Sequence, residues 1–153
     1  MKGTVRNFVT LGTPHMGVNY VPYCPPGKNV LCDWLNKVTK YLVYYSVVQD
    51  WIAPAGYFRD LGQLETYSMS STFLPGLNNE LEKSKEAAVR KGRFSSLKNA
   101  LFIMFEADSV IYPKESAWFQ ELDRDGHLKS LDKSEYYTED FFGLKSLVDA
   151  GKA

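Results

Sequence analysis

The chain has 153 residues and a mass of 17.4 kDa, the size of one domain with a core of its own. Hydrophobic residues at 44%, aromatics at 14% and charged residues at 24% exclude a collagen-like, low-complexity or globally disordered chain. Eighteen basic and eighteen acidic residues leave no net charge, so no global field gathers nucleic acid or anionic lipid, and no apolar run approaches the ~20 residues of a membrane span.

Val5 to Leu11 is rich in β-branched and apolar residues and runs into Gly12, which reads as a buried strand and a turn. Gly12-Thr-Pro-His-Met-Gly17 is a loop, and Pro25, Pro26 and Gly27 form a reversal between Cys24 and Cys32. From Asp33, a candidate N-cap, Trp34, Val38, Tyr41, Tyr45, Val48 and Ile52 recur at helical spacing until Pro54. The stripe is wide enough to predict a helix covered on more than one side.

Residues 53–76 lack periodicity and read as irregular structure. Asn78 to Lys91 predicts a polar helix with a capping-box pair Asn79 and Glu82 and a stop at Gly92. Its basic residues Lys83, Lys85, Arg90, Lys91 and Arg93 alternate with Glu80, Glu82 and Glu86, as on a solvated face rather than a nucleic-acid site. Asn99 to Phe105 is a continuous apolar run, suited to a strand buried on both faces of a parallel sheet. A loop to Pro113, a helix to Leu122 and a short helix before Asp149 complete the chain. About 87 residues separate the two strands, far more than a βαβ crossover needs, so residues 18–97 read as a helical insertion over the sheet's carboxyl edge.

Asp108 falls just past the carboxyl end of the second strand, where catalytic side chains gather in open α/β sheets. A carboxylate there can orient a histidine, or it can bond its own loop amides as an Asx-turn. His15 is either a functional group or a loop histidine bonded to nearby backbone, and His127 sits in a polar turn. Cys24 and Cys32 can form one bridge, worth about 2.5 kcal/mol on the chain-entropy argument, or remain two buried thiols. Their spacing matches no zinc or redox motif, and the chain has no Walker loop, Gly-x-Gly-x-x-Gly, His-Glu-x-x-His or Gly-x-Ser-x-Gly.

Several segments in order resemble one family. They are Phe8-Val-Thr-Leu-Gly-Thr-Pro-His-Met-Gly-Val18, Cys24-Pro with Cys32-Asp-Trp34, Tyr45-Ser-Val-Val-Gln49, Ala55-Gly-Tyr57, and Ser71-Thr-Phe-Leu74. Leu77-Asn-Asn-Glu80, Asp108-Ser-Val-Ile-Tyr-Pro113 with Ser116 and Trp118, and Tyr137-Thr-Glu-Asp140 with Gly143-Leu-Lys145 follow. Together they resemble the palmitoyl-protein thioesterases, serine hydrolases of the α/β-hydrolase fold. The resemblance implies one partial α/β-hydrolase domain over residues 1–153, without its early strands and its last strand. It implies cleavage of fatty acyl thioesters from S-palmitoylated proteins or peptides by Ser, His and Asp, in a lysosomal or secretory setting. It maps the acid onto Asp108 and a disulfide onto Cys24 and Cys32, and it sets Val110 and Ile111 against the acyl chain.

No metal or organic cofactor is implied. The family's serine lies upstream of the matching region and its histidine downstream. The expectation is therefore a truncated chain, inactive alone, in which the lack of a signal peptide at Met1 to Gly12 carries no information. An ester-cleaving lipase-like fragment and a non-catalytic acyl-binding protein are the alternatives.

Overall fold

A computed structural model describes residues 5–25, 27–81 and 84–153. The elements in chain order are β1 (Asn7–Leu11), α1 (Val30–Leu42), α2 (Ser46–Trp51), α3 (Leu64–Ser70), α4 (Leu74–Leu77) and α5 (Lys85–Ser95). β2 (Asn99–Ile103), β3 (Glu121–Leu122), β4 (Leu128–Lys129), α6 (Glu135–Thr138) and α7 (Leu144–Asp149) follow. β1 and β2 pair in parallel, Asn7 opposite Asn99 and Leu11 opposite Ile103, and the Gly12 amide extends the ladder to the Ile103 carbonyl at 2.8 Å. Both expected strands thus share one sheet, and the helical excursion leaves and re-enters it between adjacent strands. β3 and β4 form a small antiparallel hairpin.

The strand pair is not buried on both faces. Phe8 and Phe102 point toward Phe94 of α5 and toward Phe119, in the cluster that holds Met16, Tyr136, Phe142 and Leu144. On the opposite face Val9, Leu11 and Leu101 are exposed, because no described element is layered over them. A continuous apolar run reads as doubly buried, but burial depends on what the rest of the chain puts there.

The long helix expected from Asp33 to Ile52 is two helices. Asn29, not Asp33, caps α1, its side chain accepting from the Cys32 amide. The chain then turns at Val43 to Tyr45, where Val43 packs with Ala55 and Phe58 in a second cluster. Residues 53–76 are more ordered than expected, with 3-10 turns at Ala53–Tyr57 and Leu61–Gln63 followed by α3 and α4. The polar helix starts late: Ser84 caps α5 by accepting from the Ala87 amide, and Gly92 lies within the helix rather than stopping it. Glu82, Lys83 and Pro26 lie outside the described residues, so the capping-box pair and part of the Pro-Gly reversal and basic run do too. Lys114–Trp118 is a 3-10 turn instead of a helix to Leu122, while α7 is the expected short helix.

Buried polar side chains tie the excursion to the strands. Arg59, 9% exposed, meets Glu121 of the hairpin and lies 3.4 Å from Glu80. Glu80 also accepts from the Tyr67 hydroxyl at 3.1 Å and from Asn78 at 3.3 Å, and Lys129 stands 3.3 Å from Glu121. Burial opposes the charge on Arg59, but Glu80 and Glu121 outweigh it and keep the guanidinium protonated. Two arginine or lysine charges thus balance two glutamates. Replacing Arg59 by Met would leave Glu80 without a cation and Glu121 with Lys129 alone among the described residues, so R59M is expected to lower stability by about 3 kcal/mol. Urea unfolding checks this, and combining R59M with E80Q and E121Q should recover part of the loss.

Candidate active site

The turn after β2 begins where the Asp108 amide bonds the Phe105 carbonyl at 3.2 Å. The Asp108 carboxylate then bends back over its own loop. Its Oδ1 accepts from the Val110 amide at 2.8 Å and the Ile111 amide at 3.0 Å. Oδ2 receives no hydrogen bond from the described residues. It faces Gly12, where a Cβ would lie 3.5 Å from Oδ2 and 2.9 Å from the Phe105 ring. Gly12 has φ +55°, so a side chain there would be strained as well as crowded. The absent side chain lets the acid sit against the carboxyl end of β1.

The Asx-turn reading of Asp108 therefore holds for its geometry. The Asx-turn occupies one carboxylate oxygen and fixes the plane of the group, and the other oxygen is left to a further donor. Ile111, Tyr112, Glu106 and Leu122 join Asp108 around an open cleft of 440 Å³. Val110 is 40% exposed and is not among the residues lining that cleft. The amides of Val110 and Ile111 hold the carboxylate, as the Asx-turn reading expects.

The acid loop is tied to the loop after β1 at several points. The Asn19 amide bonds the Tyr112 carbonyl at 3.1 Å, and the Tyr23 amide bonds the Ser109 carbonyl at 3.2 Å. The Met16 amide donates to the fully buried Ser116 hydroxyl at 3.0 Å, and the Trp118 indole donates to the Phe102 carbonyl at 2.9 Å. Cys24 and Cys32 are joined in a disulfide, which links this region to α1. Asn36 of α1 reinforces the link, accepting from the Val21 amide and donating to the Cys24 carbonyl.

His15 is not in the cleft with Asp108. Its ring stacks on Phe119 at 4.2 Å, meets Phe102 edge-on at 5.4 Å, and its Nε2 lies 3.0 Å from the Thr10 hydroxyl. The ring thus bonds a side chain rather than the nearby backbone that the sequence suggested, and the His15 carbonyl accepts from the Asn78 side chain at 2.8 Å. His127 is exposed in the β3–β4 turn, near Asp123 and Asp125. The polar residues that sequence reasoning missed, Asn36 and Arg59, carry no motif. Only their burial identifies them.

A carboxylate held just past the carboxyl end of a parallel strand stands where open α/β proteins gather functional side chains. The comparisons with known proteins narrow this class. The palmitoyl protein thioesterase family model matches residues 1–153, and the chain belongs to that family. It is 32% identical over 151 residues to palmitoyl-protein thioesterase 1 of Caenorhabditis elegans, covering 97% of this chain and 49% of that protein. It is 31% identical over 151 residues to lysosomal thioesterase PPT2-B of Xenopus laevis, covering 96% of this chain and 50% of that protein. A Schizosaccharomyces pombe palmitoyl-protein thioesterase-dolichyl pyrophosphate phosphatase fusion is 29% identical over 150 residues, covering 97% of this chain and 24% of the fusion. The chain spans about half the length of the first of these relatives.

Burial holds the His15 pKa down at about 4, against 6.5 for the free side chain. The folded value is the lower one, so between the two values the unfolded chain binds the extra proton. The stability contributed by the neutral imidazole is complete above 6.5 and is lost as pH falls toward 4. Acidification from neutrality to about pH 4.5 should remove roughly 2.5 kcal/mol through this group alone. His15→Phe keeps an aromatic stack and cannot titrate. Chemical unfolding of the two proteins across this range should give a visibly flatter stability profile for the variant.

Proposed function

We propose that the protein carries the acid half of a thioesterase site that hydrolyses fatty acyl thioesters on protein cysteines. The observation that carries this reading is Asp108, with one carboxylate oxygen pinned by two loop amides and the other open beside Gly12. Such a carboxylate can accept the Nδ1–H of a histidine, fix its tautomer and stabilise the imidazolium as that histidine takes a proton from serine. The serine attacks the thioester carbonyl, the thiol leaves with the proton from the histidine, and water then repeats the cycle on the acyl-enzyme.

These 153 residues contain no Gly-x-Ser-x-Gly, and His15 is packed away from Asp108. The reading therefore assigns the serine and the catalytic histidine to other segments of a longer protein, and it expects the chain alone to be inert. Residues 18–97 form the cap in this reading. Ile111, which lines the cleft, and Val110 beside it are the proposed contacts of the acyl chain. Relatives are named as lysosomal thioesterases, which supports a lysosomal or secretory location. No cofactor takes part. The acid-side disulfide fits an oxidising compartment.

Asp108→Asn isolates the acid's charge from its structural bond, because an Asn oxygen can still accept from Val110 and Ile111. In the complete enzyme, turnover of an S-palmitoyl peptide should fall by roughly 10⁴-fold, with stability changed by less than about 1 kcal/mol. Retained turnover would remove Asp108 from the mechanism. Preference for an oxygen ester over the matched thioester would point to the lipase-like alternative, and tight palmitate binding without turnover of either would point to an acyl-binding protein.

A further inference from the structure

The two helices after the disulfide are built inside out. In α1 the buried residues are Cys32 and Asn36, and Val43 follows them on the same side. At 100° per residue these three point within about 40° of one another. Val30, Leu31, Trp34, Val38, Tyr41 and Leu42 spread over an arc of about 120° on the opposite side. Trp34 is 58% and Tyr41 77% exposed. In α2 the buried residue is Gln49, which bonds the Val43 and Ala55 carbonyls at 2.7 and 3.1 Å and accepts from the Thr72 amide at 3.1 Å. Val47 and Trp51 lie away from it, and Trp51 is 84% exposed.

The protein thus anchors both helices through a disulfide and amide side chains, and turns their apolar stripe outward. Soluble chains rarely leave so many large apolar residues in solvent on one element without a partner for them. The composition of the stripe indicates which partner. Tryptophan and tyrosine alternate with short aliphatics, as on elements that lie in the headgroup layer of a bilayer. Lys37 falls one turn from both Trp34 and Tyr41 and makes no ion pair among the described residues, so its ammonium can stay at the headgroups while its stem lies on the apolar edge.

The local charge agrees. From Gly27 to Tyr45 the chain has Lys28, Lys37 and Lys40 against Asp33 alone, a net of +2 on a chain of zero net charge. α1 itself carries Lys37 and Lys40 against Asp33, a net of +1, and with Lys40 shared with Asp60 at 3.6 Å, Lys37 is its cation without an ion pair among the described residues. Among the described residues no helix is long and apolar enough to cross a membrane. An amphipathic helix with this face lies on the surface instead.

We propose that α1 and α2 form a docking surface for an anionic lipid membrane, with Leu31, Trp34, Tyr41 and Trp51 entering the headgroup layer and Lys37 meeting lipid phosphate. This rests on the thioesterase reading for its purpose, because an S-acyl chain on a cysteine is itself held in a bilayer. Docking the excursion there brings the acid loop, tied to α1 through Cys24–Cys32, to the source of the substrate. Membrane binding is measured without any turnover, so it can fail independently of the thioesterase reading.

The test is co-sedimentation of the purified protein with vesicles of phosphatidylcholine and phosphatidylglycerol at three to one, and with phosphatidylcholine alone. Tryptophan quenching by brominated lipid in the same vesicles is the second readout. The expected result is binding that favours the anionic vesicles, with quenching of the wild-type tryptophans. W34S/Y41S should lower the partition coefficient about tenfold or more. K37E should lower it about tenfold on the anionic vesicles and leave the neutral ones little changed. These residues face solvent, so both variants should keep the wild-type melting temperature, and wild-type quenching tests the proposal even if a variant fails to fold. No binding, binding untouched by both variants, or tryptophans already shielded from iodide without vesicles would overturn it. So would a dimer in light scattering that W34S/Y41S dissociates, which would assign the face to a second copy.

Discussion

Arg59 joins parts of the chain that local structure cannot join. It stands in the middle of the excursion between two adjacent strands, and its guanidinium reaches Glu80 on one side and Glu121 of the hairpin on the other. Closing a loop of about 87 residues adds only about 4 kcal/mol of length-dependent entropy to the parallel pairing. The harder requirement is geometric. The returning chain must hold one position over the strand ends, and apolar contact alone does not fix orientation. Directional bonds do so here. The Val18 amide pairs with the Tyr57 carbonyl at 2.8 Å, the Arg59 amide with the Val18 carbonyl at 2.8 Å, and Asn19 passes the constraint to Tyr112 in the acid loop.

Gly17 shows how tightly this junction is drawn. Its φ is +79°, and a Cβ there would stand 2.6 Å from the Tyr57 carbonyl oxygen. The same loop that carries His15 therefore has two glycines with different tasks. Gly12 opens space for the acid, and Gly17 lets the excursion's backbone close onto the strand end. His15 between them serves the core. Its ring fills the space between Phe102 and Phe119 at the cost of staying neutral.

The strands, the place of Asp108 and the cysteine pair were legible in the sequence because each is announced locally. β1 and β2 are short β-branched or apolar runs, Asp108 follows one of them directly, and two cysteines eight residues apart have each other as partners. The helices were less legible for a physical reason. The stripe from Trp34 to Ile52 has helical period, and periodicity identifies a helix without saying which face is buried. The usual assumption that the apolar face turns inward fails where Cys32, Asn36 and Gln49 make the inward contacts. Asn29 displaced Asp33 as the cap because its side chain reaches the Cys32 amide, a choice set by where the disulfide holds the turn. Buried polar anchors such as Arg59 leave no periodic or motif signature, since their partners lie 21 and 62 residues away.

The chain belongs to the palmitoyl protein thioesterase family, and the anchors bear on the site proposed for it. On the proposed reading the chain has two surfaces to satisfy, one rigid enough to hold the Asp108 carboxylate plane and one that stays apolar in water. Packing both by hydrophobic contact would set them in competition, because an apolar stripe turned inward to build a core is no longer available outside. Holding α1 by a disulfide and Asn36, and α2 by Gln49, removes the competition. The amide side chains satisfy backbone groups that would otherwise be buried unpaired, so the helices are fixed with Val43 and Val48 turned into the second cluster and the outward stripe left free. The same bonds run through Cys24 and Val21 to the segment that Tyr23 ties to Ser109, one residue from the acid. The outward stripe and the orientation of Asp108 are thus two ends of one hydrogen-bonded framework.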